Sequence, residues 1–309
     1  MTASRRQLGL LVVLTLVWGL NWPVMKLGVS GSPAHPAAYP PLTFRALSML
    51  LGLPVLAGVM LVLRVPLALP REFWPALLRL AVPNMMVWHS IAIVAVQALS
   101  SGRAAILGYS MPIFSALWGR LLFGERLGAR QAWGVAAATL GVVLLLANEF
   151  GRLAGAPLAA LAMLFAAGVW AYGTHQLRRA ALPAPLLTVV FWMTALTTVL
   201  ICALAFVFER DRWQVPPAHV AWTIAYNAVG VFAFAHAAWF YLARSLPPVA
   251  STVSVMLIPV LGTFSGALAL NEALHWQDFA AMLLMVFAIA AVLLRPTASQ
   301  PLKPAGTDR

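Results

Sequence analysis

Two segments of the chain carry the same pattern of residues. Residues 111–125 read MPIFSALWGRLLFGE, and residues 258–272 read IPVLGTFSGALALNE. In each segment a proline precedes a glutamate by 13 residues, and the second segment follows the first at an offset of 147 residues. The matching residues are Pro112 with Pro259 and Glu125 with Glu272. An apolar stretch follows each glutamate, so the sequence predicts an internal duplication.

The same offset also aligns pairs of small residues. Ser115 and Gly119 in the first segment correspond to Gly262 and Gly266 in the second. Both pairs have small-xxx-small spacing, which lets helix backbones approach closely in lipid. We therefore expect Pro112, Pro259, Gly262 and Gly266 to have structural roles in the repeat.

The composition places this duplicated chain in a membrane. Hydrophobic residues make up 62% of it and charged residues only 9%, against about 25% charged in soluble domains. A membrane-spanning helix needs about 20 mostly apolar residues. The ten uncharged stretches are 8–25, 46–63, 80–102, 104–119, 131–148, 153–177, 180–208, 213–243, 245–271 and 279–294. Their length and uniform apolarity favour helices over barrel strands, and the sequence predicts an all-α integral membrane protein of ten transmembrane helices.

The duplication gives these helices an arrangement. We expect a five-helix repeat over 8–148, a second over 153–295, and cytoplasmic tails at 1–7 and 296–309. Because five is odd, the second copy enters the membrane from the opposite side. The result is an inverted repeat around a central cavity, an architecture of secondary transporters that supports alternating access.

The basic residues predict the orientation. With the N-terminus in the cytoplasm, 14 Lys and Arg residues fall on the cytoplasmic side and 5 on the other, with Arg45 at a helix entrance left out. The positive-inside rule then places both termini in the cytoplasm. The net charge of +12 comes from scattered residues with no aromatic-interleaved basic stripe, so no nucleic-acid partner is expected. The apolar run after Arg5 and Arg6 lacks a cleavage site and is interpreted as a retained first helix.

Several motifs together resemble a known family. Residues 18–22 read WGLNW and are followed by Lys26, Phe44 and Arg45 open the second helix, and the two proline–glutamate segments complete the pattern. This order is similar to the drug/metabolite transporter superfamily, and within it to the EamA-type ten-helix exporters. The resemblance covers about residues 8–295. It implies a bacterial inner-membrane carrier whose relatives export amino acids, related metabolites or toxic compounds.

Polar and aromatic groups inside the spans are the candidate substrate contacts, since they are costly in lipid. They are Trp18, Asn21, Trp22, Lys26, Arg45, Trp88, His89, Tyr109, Trp170, Tyr172, His175, Tyr226, Asn227 and Trp239. Lys26 and Arg45 are suited to an anionic group of a substrate, or they snorkel to the interface. The histidines relay protons, bind a ligand or simply pack. The aromatic residues form a cavity wall, or they pack and occupy the interfacial belt.

The acidic residues are assigned structural roles. Glu125 and Glu272 lie between spans, where a carboxylate complements a helix N-terminus or pairs with a loop arginine. Glu209 is expected in a loop and Asp278 at a helix entrance, so no carboxylate is expected deep in a span.

These features favour a secondary transporter, with export as the expected direction, for amino acids or amphipathic metabolites. An intramembrane enzyme and a non-transporting receptor or assembly factor are the alternatives; the sequence has no His-Glu-x-x-His or Gly-x-Ser-x-Gly motif. The only cysteine is Cys202, and no metal or cofactor is expected. The partners expected are a small-molecule substrate and the lipid bilayer, with a monomer or a homodimer both open. Substrate identity, direction, and proton coupling or facilitated diffusion also stay open.

Overall fold

The computed structural model consists of helices joined by short connections. It describes residues 5–31, 38–124, 128–151, 156–245 and 248–293. Over those residues we number the long helices α1 Arg5–Val29, α2 Pro41–Val62, α3 Arg71–Ala98, α4 Ser101–Phe123, α5 Ala129–Gly151, α6 Pro157–Arg179, α7 Leu186–Glu209, α8 residues 218–245, α9 Pro248–Leu270 and α10 Trp276–Leu293. A break at Tyr109 and Ser110 divides α4.

Most of these helices are suited to a bilayer by length and composition. Eight are long and apolar enough to cross a membrane, among the residues described. The described apolar stretches of α9 and α10, Leu257–Leu270 and Trp276–Ala291, are shorter. Large apolar side chains such as Leu158 and Leu268 are 80% and 84% exposed on the outside of the bundle, as expected for a surface facing lipid. The all-helical membrane fold is thereby confirmed, and the count of ten crossings stays a prediction.

Several helices extend beyond the uncharged runs they contain. The second begins at Pro41 where the run begins at 46, the third at Arg71 where it begins at 80, and the fourth at Ser101 where it begins at 104. Arg79 is included in α3 with its side chain exposed. Arg103 is included because it is paired with an acidic residue, as described below.

The helix limits recur along the chain. Helix starts separated by 147 residues are Arg71 and Ala218, Ser101 and Pro248, and Ala129 and Trp276. The residues that follow α4 and α9, Gly124 and Asn271, both have left-handed backbone, with φ of 67° and 52°. Glycine and asparagine are the residues that adopt this conformation most readily at a helix C-terminus. The same terminating turn therefore stands at the same place in each half.

The packing of the helices follows the same scheme. Counting five helices in each half, α1 corresponds to α6, α2 to α7, α3 to α8 and α4 to α9. The contact of α1 with α9 then has its counterpart in that of α6 with α4, and the contact of α2 with α8 in that of α7 with α3. The pairs α5 with α10, α2 with α7, and α4 with α9 join a helix to its counterpart. Exchanging the two halves leaves this set of contacts unchanged.

Two helices contain π-helical segments, which bring wider turns into the middle of the bundle. They are Val82–Met86 in α3 and Tyr226–Ala235 in α8. An offset of 147 places the first segment inside the second. Pro83 lacks an N–H and disrupts the ladder in α3. Such wide turns are frequent at functional sites.

Candidate functional site

At one end of the bundle, α7 is joined to the start of α2 by a buried carboxylate. Glu209 is 2% exposed, and its Oε1 accepts the Leu42 N–H at 3.0 Å. Its Oε2 accepts the Thr43 N–H at 2.7 Å and the Thr43 hydroxyl at 2.8 Å. Because α2 begins with Pro41, which has no N–H, Leu42 and Thr43 carry its first free donors. Glu209 thus complements the N-terminus of α2.

A second carboxylate complements α4 at the same end. Glu272 accepts the Ser101 N–H at 2.8 Å and 3.0 Å, one contact for each carboxylate oxygen, and the Ser101 hydroxyl at 2.6 Å. Gly266 lies directly beside this contact. A Cβ at Gly266 would overlap the Ser101 hydroxyl and lie 2.6 Å from Glu272 Oε2. The small residue at this position leaves room for the carboxylate.

A buried ion pair joins α4 to α10. Arg103 Nε lies 2.7 Å from Asp278 Oδ1, and the two side chains are 6% and 5% exposed. Asp278 Oδ2 also accepts the His275 N–H at 2.8 Å, which complements the start of α10. We refer to this end of the bundle, marked by Glu209, Glu272 and Asp278, as the carboxylate face. Each of these three acidic side chains connects the first half of the chain to the second.

Lys26 is held at the carboxylate face as well. Its Nζ donates to the Gln97 carbonyl oxygen at 2.8 Å, and Gln97 Nε2 donates to the Val29 carbonyl oxygen at 2.9 Å. Nearby, the Tyr39 hydroxyl donates to the Gln214 carbonyl oxygen at 3.3 Å. Lys26 therefore fastens α1 to α3, and Tyr39 links the two halves.

Deeper in the bundle, three polar residues lie at similar distances from the carboxylate face. Asn21 precedes the end of α1 by 8 residues, His89 precedes the end of α3 by 9, and Asn227 follows the start of α8 by 9. At a rise of about 1.5 Å per residue, each lies roughly 12–14 Å from its helix end. A bilayer core is about 30 Å thick, so this depth is close to half of its thickness.

The side chain of Arg45 is directed into this group. Arg45 is 3% exposed, its Nη2 lies 2.8 Å from the Met25 sulfur, and its Nη1 lies 3.5 Å from Asn227 Oδ1. Its Cζ lies 5.5 Å from the centroid of the Phe232 ring. The buried Nε has no hydrogen-bond partner. This inward position differs from that of a snorkelling side chain.

Two histidines lie beside the same phenylalanine, and Asn21 lies at a similar depth on α1. The rings of His89 and His236 have centroids 5.3 Å and 5.9 Å from that of Phe232. His236 Nδ1 lies 3.0 Å from the Val231 carbonyl oxygen. His89 Nδ1 and Asn21 Oδ1 are buried without a hydrogen-bond partner. We refer to Asn21, Arg45, His89, Asn227 and His236 as the central cluster.

Aromatic side chains border the central cluster on the side of α4. The rings of Trp22 and Tyr109 meet edge to face, with centroids 6.3 Å apart. A Cβ at Gly108 would lie 2.7 Å from Trp22 and 3.1 Å from Trp88, and one at Gly262 would lie 3.2 Å from Trp22. Trp22 and Trp88 therefore both pack on the backbone of α4 at Gly108, and Trp22 also packs on Gly262 of α9.

A second aromatic contact joins α1 to α8. The ring centroids of Trp18 and Trp239 are 5.5 Å apart. The Tyr226 hydroxyl donates to the Val17 carbonyl oxygen at 2.7 Å. These residues connect the two halves beside the central cluster.

Three of the candidate residues lie elsewhere, on α6. His175 Nε2 lies 3.0 Å from the Ser115 hydroxyl oxygen, and the His175 ring stacks on the Phe123 ring at 4.8 Å. The Tyr172 ring also stacks on Phe123, with centroids 6.3 Å apart, and Trp170 is half-buried on the same helix. Because Phe123 ends α4, Tyr172 and His175 lie toward the end of the bundle opposite the carboxylate face.

The structure corrects the expected positions of two charged residues. Glu209 ends a helix and is buried, where a loop was expected. Asp278 lies in the first turn of α10, at the expected helix entrance, and is buried there in an ion pair. The loop charge count includes Arg103, which in fact lies inside the bundle. Their partners lie more than 160 residues away along the chain, so local sequence gives no signal of these contacts. Glu125 lies outside the described residues.

Comparison with known proteins identifies the kind of molecule that carries this site. The model of the EamA-like transporter family matches residues 6–147 and again residues 153–294. The chain belongs to the EamA-like transporter family. The resemblance noted in the sequence is thereby confirmed, and the family matches follow the two halves of the fold.

Individual relatives in this family are similar along nearly their whole length. The uncharacterized inner membrane transporter YedA of Escherichia coli (strain K12) is 28% identical over 296 residues, which cover 93% of this chain and 90% of YedA. The uncharacterized transporter YoaV of Bacillus subtilis (strain 168) is 23% identical over 263 residues, covering 85% and 88%. A probable amino-acid metabolite efflux pump of Escherichia coli (strain K12) is 24% identical, covering 92% and 93%.

A solved crystal structure shows the same fold. It is 22% identical to this chain and has a TM-score of 0.62, with 91% of this chain and 96% of the other covered. The likeness at this identity concerns the arrangement of helices.

Proposed function

We propose that this protein is a secondary transporter that exports small metabolites by alternating access. The observation that carries the proposal is the central cluster, in which polar side chains from α2, α3 and α8 surround Phe232 inside the bundle and Asn21 of α1 lies at a similar depth. Transporters with inverted repeats bind substrates near the bilayer midplane, where the halves meet and helices are irregular. The π-helical segments of α3 and α8 supply that irregularity beside the cluster.

The recurrence of helix limits and contacts supports two inverted five-helix repeats, over 8–148 and 153–295. An inverted pair has two related conformations, in which the halves exchange roles and the opposite face closes. In the conformation described, buried contacts of Glu209, Glu272 and Arg103 join the halves at the carboxylate face. Transport then requires these contacts to open.

The orientation proposed is the one with both termini in the cytoplasm. The excess of Lys and Arg at the end opposite the carboxylate face supports it. The name of YedA as an inner membrane transporter supports a location in the cell membrane. The names of the relatives support transport rather than an enzymatic reaction, and that of the probable amino-acid metabolite efflux pump supports export of amino acids or similar metabolites.

An efflux screen tests this function. The parent protein is expressed in a host sensitive to amino acids, their analogues and toxic amphiphiles, and growth and intracellular accumulation are measured. Gly262→Trp introduces an indole against Trp22 and is expected to abolish protection. Gly58→Trp lies on α2 at a position where a Cβ would have no atom within 4 Å. It serves as the matched control and is expected to protect like the parent.

Two results would overturn the proposal. One is the absence of any compound whose accumulation differs between cells with the parent protein and cells without it. The other is equal protection by the parent and by Gly262→Trp, because transport would then not pass the space beside Trp22, at the border of the central cluster.

A further inference from the structure

Two buried arginines in the bundle have opposite environments. Arg103 is 5% exposed and pairs with the carboxylate of Asp278. Arg45 is 3% exposed, yet among the described residues no carboxylate lies within 4.0 Å of its guanidinium. A buried charge without a partner is strongly unfavourable. The ion pair with Asp278 accounts for the burial of Arg103, while no contact within the fold accounts for the burial of Arg45.

The groups around Arg45 satisfy it poorly. Its Nη1 contact to Asn227 Oδ1 is long, at 3.5 Å. Its Nη2 faces the sulfur of Met25, which is a weak acceptor. Its Nε has no acceptor. A guanidinium keeps its proton in proteins, so a full positive charge with an unfilled donor is buried inside the bundle.

Other unpaired polar atoms lie in the same region. Nδ1 of His89 and Oδ1 of Asn21 are buried and lack partners, and the ring of His89 shares Phe232 as a neighbour with Arg45. Nδ1 of a histidine donates to an anion when it carries the proton. Arg45 Nε, and His89 Nδ1 when it carries the proton, are thus donors without an acceptor among the described residues, whereas Asn21 Oδ1 is an acceptor without a donor.

We propose that Arg45, with His89, is the binding subsite for the carboxylate of an amphipathic organic monoanion. Asn227 accepts from Arg45 through Oδ1 and donates to the Thr223 carbonyl oxygen through Nδ2, so it positions the guanidinium. The guanidinium presents paired donors that match a carboxylate in geometry and charge. The aromatic side chains of Trp22, Trp88 and Tyr109 border the cluster and suit an apolar or aromatic body. This inference rests on the proposed transport function and narrows its substrates.

The charge of the site selects against zwitterions. An amino acid adds an ammonium group, and the described part of the chain offers no carboxylate near Arg45 to pair with it. Desolvating that ammonium without a counter-charge opposes binding. A monocarboxylate therefore binds more tightly than the amino acid of the same shape.

Binding to purified protein tests the subsite. Isothermal titration calorimetry at neutral pH compares 3-phenylpropionate, indole-3-acetate and octanoate with their primary amides, and 3-phenylpropionate with phenylalanine. We expect at least one carboxylate to bind about tenfold or more tightly than its amide, and 3-phenylpropionate to bind more tightly than phenylalanine. Arg45→Gln is expected to reduce the preference for carboxylate over amide to less than about twofold. Arg45→Lys is expected to lie between the parent and Arg45→Gln, because lysine keeps the charge but lacks the paired donors of the guanidinium. Arg79→Gln, which removes an exposed arginine, is expected to keep the parent preference.

The stability of two matched variants separates binding from a structural role. Without ligand, Arg45→Gln is expected to have a Tm equal to or above that of the parent, since it removes an unpaired buried charge. Arg103→Gln is expected to lower the Tm by roughly 5 °C or more, since it leaves Asp278 buried and unpaired. A merely structural Arg45 would give a loss of Tm similar to that of Arg103→Gln.

Each contrary result has a definite meaning. The subsite is refuted if none of the three carboxylates binds, if amides or phenylalanine bind equally well, if inorganic phosphate competes better than the carboxylates, or if Arg45→Gln keeps the preference. If the efflux screen identifies transported compounds and Arg45→Gln transports them normally, the proposed function stands and the subsite is wrong. If that screen identifies no compound, the proposed function itself fails.

Discussion

The buried carboxylate of Glu209 gives a stability prediction whose size follows from its contacts. Glu209→Gln keeps the size of the side chain but replaces one of two acceptor oxygens with a donor amide. At least one of the Leu42 N–H, the Thr43 N–H and the Thr43 hydroxyl then loses its acceptor. A buried donor without a partner costs about 1–3 kcal/mol, and the lost negative charge at the N-terminus of α2 costs up to about 2 kcal/mol.

One effect opposes this loss. A neutral amide is less costly to bury than a carboxylate, so we expect the net destabilisation to fall in the lower part of the summed range, at about 2–3 kcal/mol. Equilibrium unfolding in mixed micelles of SDS and a mild detergent, followed by tryptophan fluorescence, measures the free energy of unfolding. Glu72→Gln makes the same change at an exposed residue of the first turn of α3 and is the matched control. A change of less than about 0.5 kcal/mol for Glu209→Gln, or one no larger than that of the control, would refute the reasoning.

Two further predictions concern the same face. Asp278→Asn should lower the free energy of unfolding by about 3–5 kcal/mol, because the Arg103 guanidinium stays buried without its partner. The double variant with Arg103→Gln should lose less than the sum of the two single variants. Additive losses in the same unfolding assay would contradict the ion pair. Gly266→Ala should lower the Tm, because its Cβ would displace the contact of Glu272 with Ser101. Gly58→Ala, which introduces a Cβ into open space, should leave the Tm unchanged or raise it slightly, and equal effects of the two alanines would show that the Glu272 contact is not needed for stability.

The sequence predicts the class of fold well because the lengths of its apolar runs and the repeated segments can be recognised without knowing any long-range contact. Ten uncharged runs indicate the helices, and the segments that end at Glu125 and Glu272 indicate the offset that also relates the helix limits. Helices α3 and α4 begin before the uncharged runs that indicate them, because a charged residue does not always mark the end of a helix. Arg79 and Arg103 both lie within helices, the first exposed and the second paired.

The candidate site is predictable as a set of residues, while its grouping is not. Asn21, Arg45, His89 and Asn227 stand out because each is polar within an apolar run. Which of them face one another depends on the rotation of helices that are distant in sequence. For this reason the sequence does not separate the central cluster from Tyr172 and His175, nor decide whether Arg45 is directed inward or toward the interface.

The irregular segments show a similar limit. Pro83 gives a reason for the π-helical turn in α3, because it removes a backbone donor. The segment Tyr226–Ala235 contains no proline, and only its position at the repeat offset relates it to the first. Buried contacts such as that of Glu209 with Thr43 join residues 166 positions apart, which a single sequence does not reveal.

The central claim is that the carboxylate face must open during transport, and a reversible cross-link tests it most directly. Tyr39 and Gln214 lie close together between the halves, because the Tyr39 hydroxyl donates to the main-chain carbonyl oxygen of Gln214 at 3.3 Å. Tyr39→Cys and Gln214→Cys, in a Cys202→Ser background that removes the only native cysteine, can be joined by a short bifunctional methanethiosulfonate. In proteoliposomes loaded with a compound from the efflux screen, the account predicts that cross-linking stops transport, that reduction restores it, and that each single-cysteine variant is unaffected. Undiminished transport through the cross-linked protein would contradict alternating access at this face.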